Sequence, residues 1–513
     1  MKLHPLLDSW LESKNWSLFD FQKKAAAAYQ KGSSGIVHAP TGYGKTLSVF
    51  LAPLAEILAE TGPEPTPTQV RQLGCRILWI TPLRALAADT IRSLRAPIQD
   101  LNLPLSIEAR TGDTSSYRKA KLRENFPTCL VTTPESLSLL LTYPDTRSKL
   151  QNLRCIIFDE WHEMIGNKRG VQAELCLTRL RHWQPQLRVW ALSATLGNRH
   201  EASLPLQSHP TRDRPTTDFI EVTSRHKKKI SIKTLIPDTI ENFPWSGHIG
   251  TRLARRVAAI IEKSQTTLLF TNTRAQAEIW HQEMQNRLQN PAKNLAIHHG
   301  SLSKKDRAEV EDRLKNGHLR CVVCTASLDL GIDFSAVDRV IQIGSPKGIA
   351  RLAQRAGRAG HSPGQVSQLI CVPTNALELI EFAAARQAWE NAAIEAKPLL
   401  DKPLDILVQH ILTLIIGTPA TADALYREIL TSHTYRNLTH DEWRWAIDFI
   451  TCGGPLSAYP QYHKATLENG ILSVPHKRTI QLHRMNIGTI TSDSAILIKY
   501  QNGHTLGTIE EAF

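Results

Sequence analysis

Short apolar runs alternate with longer stretches of helical periodicity over most of the chain. Gly35-Ile-Val-His38, Cys75 to Thr81, Cys129 to Thr132, Cys155 to Phe158 and Val189 to Leu192 have strand length, and the segments between them space their apolar residues by three and four. Near-continuous apolar strands separated by helices predict a parallel sheet covered on both faces. The rhythm restarts near residue 230 with Thr267 to Thr271, Leu295 to His298, Cys321 to Cys324, Arg339 to Ile343 and Gln368 to Val372. That predicts two α/β domains in tandem. Residues 1–34 predict amphipathic helices packed through Trp10, Trp16, Phe19 and Phe21, whereas 61–71 and 203–217, rich in Pro, Thr and Ser, predict surface loops. From Pro403 the pattern changes. Pro403 to Leu414, Thr421 to Leu430 and Thr439 to Cys452 read as helices, and Ala465 to Val474 and Thr479 to His483 as the two strands of a wing. Three helices and a hairpin predict a winged helix. Two further strand-like runs, Thr489 to Thr491 and Ala495 to Tyr500, are expected to begin a sheet that the chain does not finish. An unfinished sheet has unpaired edges, so the expectation is a truncated or split protein. The expected domains are 1–222, 223–396, 397–485 and 486–513.

Composition narrows the classes. The chain has 513 residues, enough for two to four domains, with 42% hydrophobic and 21% charged residues. Lys plus Arg outnumber Asp plus Glu by 61 to 48, a net charge of +13 that permits a polyanionic partner. Most of the eight cysteines lie in apolar runs and read as buried thiols of a reducing compartment. Cys321 and Cys324 have zinc-knuckle spacing but no second pair, so no metal is expected there. The lack of a run of bilayer length and of a signal-peptide core points to the cytoplasm.

Candidate chemistry starts at Ala39-Pro-Thr-Gly-Tyr-Gly-Lys-Thr46, a glycine-rich turn between an apolar strand and a helix. That is the context of a phosphate-binding loop. Thr41, Gly42, Tyr43 and Gly44 would wrap a polyphosphate, Lys45 would reach its outer phosphates, and Thr46 would ligate magnesium. The usual first glycine of such a loop is Ala39 here. Asp159-Glu160-Trp161-His162 follows the buried run Cys155 to Phe158. Asp159 would hold the magnesium and Glu160 would polarise the attacking water, with His162 in the same site. In the second domain Gln354-Arg-Ala-Gly-Arg-Ala-Gly-His361 places Arg355 and Arg358 three residues apart, on one helix face, as candidate arginine fingers beside Gln354. The run Thr325 to Asp333 would add Gly331 and Asp333 to the same cleft. ATP and magnesium are thus the expected cofactors. Arg84, Thr133 and Thr325 are candidates for gripping the phosphates of a nucleic acid.

With these motifs in order, the chain resembles superfamily 2 DNA/RNA helicases, and the likeness covers nearly its whole length. Gln22 resembles the adenine-reading glutamine of the Q-motif. Thr81 to Ala87, Arg110-Thr-Gly-Asp113 and Thr132-Thr-Pro-Glu135 resemble the strand-contacting motifs of the first domain, and Phe270-Thr-Asn-Thr-Arg274 and His298-His-Gly-Ser301 those of the second. Carried over by motif, Arg84, Arg110, Gly112, Thr133, Thr273, Arg274, His299 and Thr325 would contact the strand. Asp-Glu-Trp-His-Glu163 followed by Gly166 to Gln172 resembles the Lhr (large helicase-related) group, and most of all its DNA-ligase-associated DEXH-box branch, as do Pro244 to Gly250 and Gly453 to Pro460. The resemblance implies two RecA-like phosphate-loop NTPase domains, a winged helix and a β-rich domain. It implies a monomer that moves 3′ to 5′ on single-stranded DNA at the expense of ATP, displaces DNA or RNA from a 3′-tailed duplex, and works in DNA repair with partners such as a ligase and a nuclease. The alternatives are a nucleic-acid-stimulated ATPase that remodels protein–DNA complexes without unwinding, and an inactive scaffold. The intact Lys45, Asp159, Glu160 and Arg358 argue against the scaffold.

Overall fold

In the computed structural model residues 3–40, 42–193, 196–207, 218–226, 229–237, 244–245, 250–329, 337–360, 366–391, 393–488, 495–499 and 505–510 are described. The first sheet has seven parallel strands in the spatial order Ile107–Arg110, Cys129–Thr132, Ile77–Ile80, Cys155–Phe158, Arg188–Ser193, Ser34–His38 and Phe219–Thr223. Three of its inner strands, Cys129–Thr132, Ile77–Ile80 and Cys155–Phe158, are buried along their whole length, as their apolar runs require. The two end strands were not legible as runs, because polar residues interrupt both. The second sheet has six parallel strands: Leu295–His298, Cys321–Cys324, Thr267–Phe270, Arg339–Ile343, Ser367–Val372 and Ile230–Thr234.

The winged helix follows with helices Leu404–Gly417, Ala422–Ile429 and His440–Cys452. Its wing is the hairpin Thr466–Glu468/Ile471–Ser473, turned by Asn469 and Gly470 at φ 49° and 79°, with Ala420–Thr421 as a third strand. Thr479 to His483, expected in the wing, instead lies in the helix Lys477–Asn486. That helix is tied to the first domain by Arg484, which donates to the Thr142 hydroxyl and carbonyl at 2.9 and 2.8 Å. The expected loop at 61–71 is in part the helix Pro67–Leu73. Pro67 fits its first turn, and Thr66 and Gln69 form a reciprocal cap. Trp10 and Phe21 are core residues but Trp16 is half exposed. The strands Ala495–Lys499 and Thr505–Glu510 pair antiparallel with each other.

The apolar clusters divide the molecule unevenly. One covers each face of the first sheet. The cluster that holds Ile36, Ile156 and Leu175 runs on without a break into Ile406, Leu407, Ile411, Tyr435 and Leu472 of the winged helix. The second sheet has its own pair of clusters, and among the described residues neither includes a residue of the first domain.

Candidate active site between the two sheets

The phosphate-loop sequence closes a parallel strand, Ser34–His38, and opens the helix Lys45–Thr61. Gly42 and Gly44 have φ of +85° and +69°, a left-handed backbone that a side chain would strain. Gly44 is the helix N-cap and supplies no side-chain acceptor, so the first-turn amides are open to an external anion. Gln22 braces the loop from below: its Nε2 donates to the Gly44 carbonyl at 2.9 Å and its Oε1 accepts from the Phe19 amide at 2.8 Å. Tyr43 packs against Phe19 and His226, with ring centroids 5.9 and 5.4 Å away. Thr41 lies outside the described residues.

One strand away, the chain leaves Phe158 into the acidic pair. Asp159 is oriented by three donors: the Trp79 indole at 3.2 Å and the Thr90 hydroxyl at 3.4 Å on Oδ2, and the Glu160 amide at 2.9 Å on Oδ1. Glu160 has φ 42° and ψ 49°, a left-handed conformation that costs a non-glycine residue about 1–3 kcal/mol and turns the carboxylate back over the sheet edge. Its Oε2 lies 3.4 Å from Lys45 Nζ. Burial alone would raise the Glu160 carboxyl, but the charge of Lys45, with that of Arg358 and the Lys45 hydrogen bond, outweighs it and holds it below its usual range. Burial, and then the Glu160 charge, push Asp159 up to about 6. A carboxylate whose ionised form is disfavoured by burial and a like-charged neighbour is one that a divalent cation would stabilise. Among the described residues no group of three or more His, Cys, Asp or Glu could hold a metal. A cation here would therefore rest on Asp159, the Thr46 hydroxyl and its substrate's own phosphates, as magnesium does.

The second sheet faces this edge with the helix Ile349–Ala356 and the turn after it. Arg358 is buried and its charge bears on Glu160 across the cleft. Gln354 bridges the domains: its amide lies 2.6 Å from His162 Nε2 and donates to Glu163 Oε1 at 2.9 Å. A carboxamide nitrogen only donates, so His162 Nε2 must accept, which leaves the ring proton on Nδ1, 3.5 Å from Glu160. Burial lowers the His162 pKa, in keeping with a neutral ring.

Arg355 corrects the expectation of two fingers. It is 1% exposed and points into its own domain. Its Nε and Nη2 donate to Asp329 at 2.7 and 3.2 Å, its Nη1 donates to Gln342 at 2.6 Å, and the guanidinium lies over the Phe270 ring. It is a buried strut of the second domain: Arg355 stands in the last turn of the helix, whereas Arg358 lies in the turn beyond its end, where residues three apart no longer share a face. Gly331, Asp333 and His361 lie outside the described residues, as do Ala194 and Thr195 after the strand Arg188–Ser193.

The strand-contact candidates divide by exposure. Arg84, Gly112, Thr273 and Arg274 are exposed and Thr325 is half-buried. Arg84 lies over Gly112, where any Cβ would collide with its guanidinium, and 3.5 Å from Asp113. Thr133 and Thr273 cap the helices Pro134–Leu141 and Arg274–Gln285. Arg110, Thr133 and His299 are buried instead. Arg110 donates to the Ser136 carbonyl at 3.1 Å and His299 Nε2 pairs with Glu278 at 2.9 Å, so both shape the surface without lining it. The sequence reading missed Glu163 and Asp329, although both stand inside motifs it singled out.

Residues 19–203 match the DEAD/DEAH box helicase family, 252–362 the helicase conserved C-terminal domain, and 387–513 the winged helix domain of large helicase-related proteins. The chain is 33% identical to the ATP-dependent helicase Lhr-Core of Sulfolobus acidocaldarius, over 99% of this chain and 58% of the relative. It is 31% identical to the ATP-dependent helicase Lhr-Core protein 2 of Thermococcus barophilus, over 98% and 59%. It thus spans about three fifths of the length of these curated relatives. Among solved structures it resembles the Mycobacterium smegmatis helicase Lhr bound to ssDNA and AMP-PNP, with a TM-score of 0.82 at 29% identity, covering 96% of this chain and 63% of that one. The helicase MrfA bound to DNA shares the fold, with a TM-score of 0.74 at 20% identity over 99% and 68%.

Proposed function

Because this chain belongs to the large helicase-related (Lhr) family of DEAD/DEAH-box helicases, we propose that it is an ATP-driven motor that moves 3′ to 5′ along single-stranded DNA and displaces the paired DNA or RNA strand. The observation that carries this reading is the meeting of Lys45, Glu160 and Arg358 from two separate sheets at one cleft. Lys45 and the amides after Gly44 would hold the triphosphate, and Thr46 and Asp159 its magnesium. Bound there, the metal neutralises charge on the phosphates. Glu160, kept ionised by Lys45, is the base that orients water, and Arg358 meets charge developing on the phosphoryl oxygens. Gln22, once released from Gly44, would read the base, with Tyr43 and Phe19 beside it. The relative bound to ssDNA and AMP-PNP supports the choice of ligands. Arg84, Gly112, Thr273, Arg274 and Thr325 are the proposed grip on the strand. The ligase-associated branch, the repair role with a ligase and a nuclease, the monomeric state and the cytoplasmic location belong to the same proposal.

Strand displacement from duplexes with a 3′ or a 5′ tail, measured beside ATP turnover, tests it. Unwinding of the 3′-tailed substrate alone, with affinity that falls steeply with salt and ignores base sequence, is expected for phosphate contacts. Equal unwinding of both tails would reject the direction. Turnover without displacement would favour the remodelling reading.

A further inference from the structure

The segment from Ala393 to Pro403, between the second domain and the winged helix, has no helix or strand, yet it is fastened at close intervals to both sides of the cleft. Glu395 caps the helix that carries Gln354. Its carboxylate accepts from the Ile349 amide at 3.1 Å and from the Ala350 amide at 3.0 and 3.1 Å. That helix has no cap of its own, because its N-cap residue is Gly348. A Cβ at Gly348 would fall 2.7 Å from Glu395 Oε1, so the glycine admits the carboxylate.

Two residues on, Lys397 grips the other domain. Its amide donates to Asn198 Oδ1 at 3.1 Å, its carbonyl accepts from Asn198 Nδ2 at 2.9 Å, and its Nζ donates to the His162 carbonyl at 2.6 Å. The backbones touch here too: a Cβ on Gly197 would lie 2.2 Å from the Ile394 carbonyl. Downstream, Leu399 and Leu400 pack on the core shared with the winged helix, the Tyr435 hydroxyl donates to the Pro403 carbonyl at 2.8 Å, and Lys402 pairs with Glu442 at 2.7 Å.

His162 and Gln354, the pair that bridges the cleft, are thus both held from behind by one short segment. We propose that 393–403 is a strap that couples the winged helix to closure of the cleft, with Glu395 and Lys397 as positioning residues for ATP hydrolysis. The proposal rests on the reading of the cleft as an ATPase. In an extended chain Glu395 and Lys397 are roughly 7 Å apart, which fixes the separation of the Gln354 helix from the His162 turn. If the second domain swings away, one fastening must open. A strand pulling on the winged helix acts on the same segment.

The test is ATP turnover of the full chain with single-stranded DNA, together with hydrogen exchange at Ile349 and Ala350. Glu395→Ala is expected to lower kcat about tenfold while the KM for ATP stays within about twofold, and to speed exchange of the two amides. Glu395→Gln keeps the acceptor oxygen and should retain most of the rate. Lys397→Met should lower kcat in the same way and Lys397→Arg restore it. If Glu395→Ala fails to fold, the Gln variant and Asn198→Ala, on the first-domain side, carry the test. Variants with unchanged kcat in an active wild type would overturn the strap alone, as would an equal rise in KM. An inactive wild type would overturn the ATPase reading as well.

Discussion

The winged helix and the second parallel-sheet domain both lean on the first domain, by opposite chemistry. The winged helix is joined through a continuous apolar core, with Ile411 and Leu407 in the same cluster as Leu137 and Leu175. The second domain is joined by polar contacts, Gln354 to His162 and Glu163 on one side and Lys315 to Asp89 at 3.2 Å on another. Separating apolar faces exposes surface to water at about 25 cal/mol per Å², whereas a half-exposed ion pair exchanges its partner for water at a loss of about 1 kcal/mol or less. The first domain and the winged helix therefore form one body, and the second domain is the part free to move. A motor needs both halves of that arrangement: a rigid frame that keeps its grip, and a cleft that opens and shuts.

The sharpest way to break this comparison lies in one turn of chain. Arg355→Ala should cost the second domain about 3–5 kcal/mol, because Asp329 is left buried without its partner. Thermal melting should show that loss in the second domain while the first domain and winged helix keep their transition. Arg358→Ala should move melting far less than Arg355→Ala and lower kcat on the order of a hundredfold, about 2.7 kcal/mol, with little change in the KM for ATP. Equal melting losses for the two variants would erase the distinction between strut and finger.

A smaller effect probes the rigid side. Glu174, in the helix Lys168–Trp183, accepts from the Thr434 amide at 2.9 Å and from its hydroxyl, across the junction with the winged helix. Burial raises its carboxyl from the ordinary 4.5 to about 7, against the Thr434 bonds and the Arg181 charge. Between those values the folded chain holds a proton that the unfolded chain has lost, so this group's contribution is complete below about 4.5 and is lost as pH rises through 7. His410, at the same junction, is held down to about 3 by burial and by the charges of Arg179 and His483, and acts in the opposite sense. Its contribution is complete above the ordinary histidine value and is lost as pH falls toward 3. The stability gained by Glu174→Gln should therefore grow from pH 4.5 to pH 7 and then level off. A gain independent of pH would mean that Glu174 is ionised in the fold.

Much of this was legible in the sequence, for stated reasons. Buried parallel strands are apolar on both faces, so Cys155–Phe158 and its neighbours stood out, and the phosphate loop and acidic pair could be placed at their ends. The end strands Ile107–Arg110 and Phe219–Thr223 are only partly buried and carry charged residues, so they did not stand out. Helical spacing put Arg355 and Arg358 on one face but could not say that the last turn separates them. The Asn469-Gly470 turn went unread inside Ala465 to Val474, a run that holds both strands of the hairpin, and Thr479 to His483 reads as strand or helix until Arg484 docks it. Glu395, Lys397 and Asn198 were invisible, because a fastening between distant segments leaves no periodic signal.

All of this depends on the cleft being where ATP is hydrolysed, and one variant asks that directly. Glu160→Gln keeps the volume of the side chain and removes the carboxylate that Lys45 and Arg358 hold ionised, the proposed base. Turnover with single-stranded DNA should fall more than tenfold, while affinity for ATP and for the strand stays close to wild type. A Gln variant that keeps more than about a tenth of the wild-type rate, less than roughly 1.4 kcal/mol of barrier, would contradict the assignment.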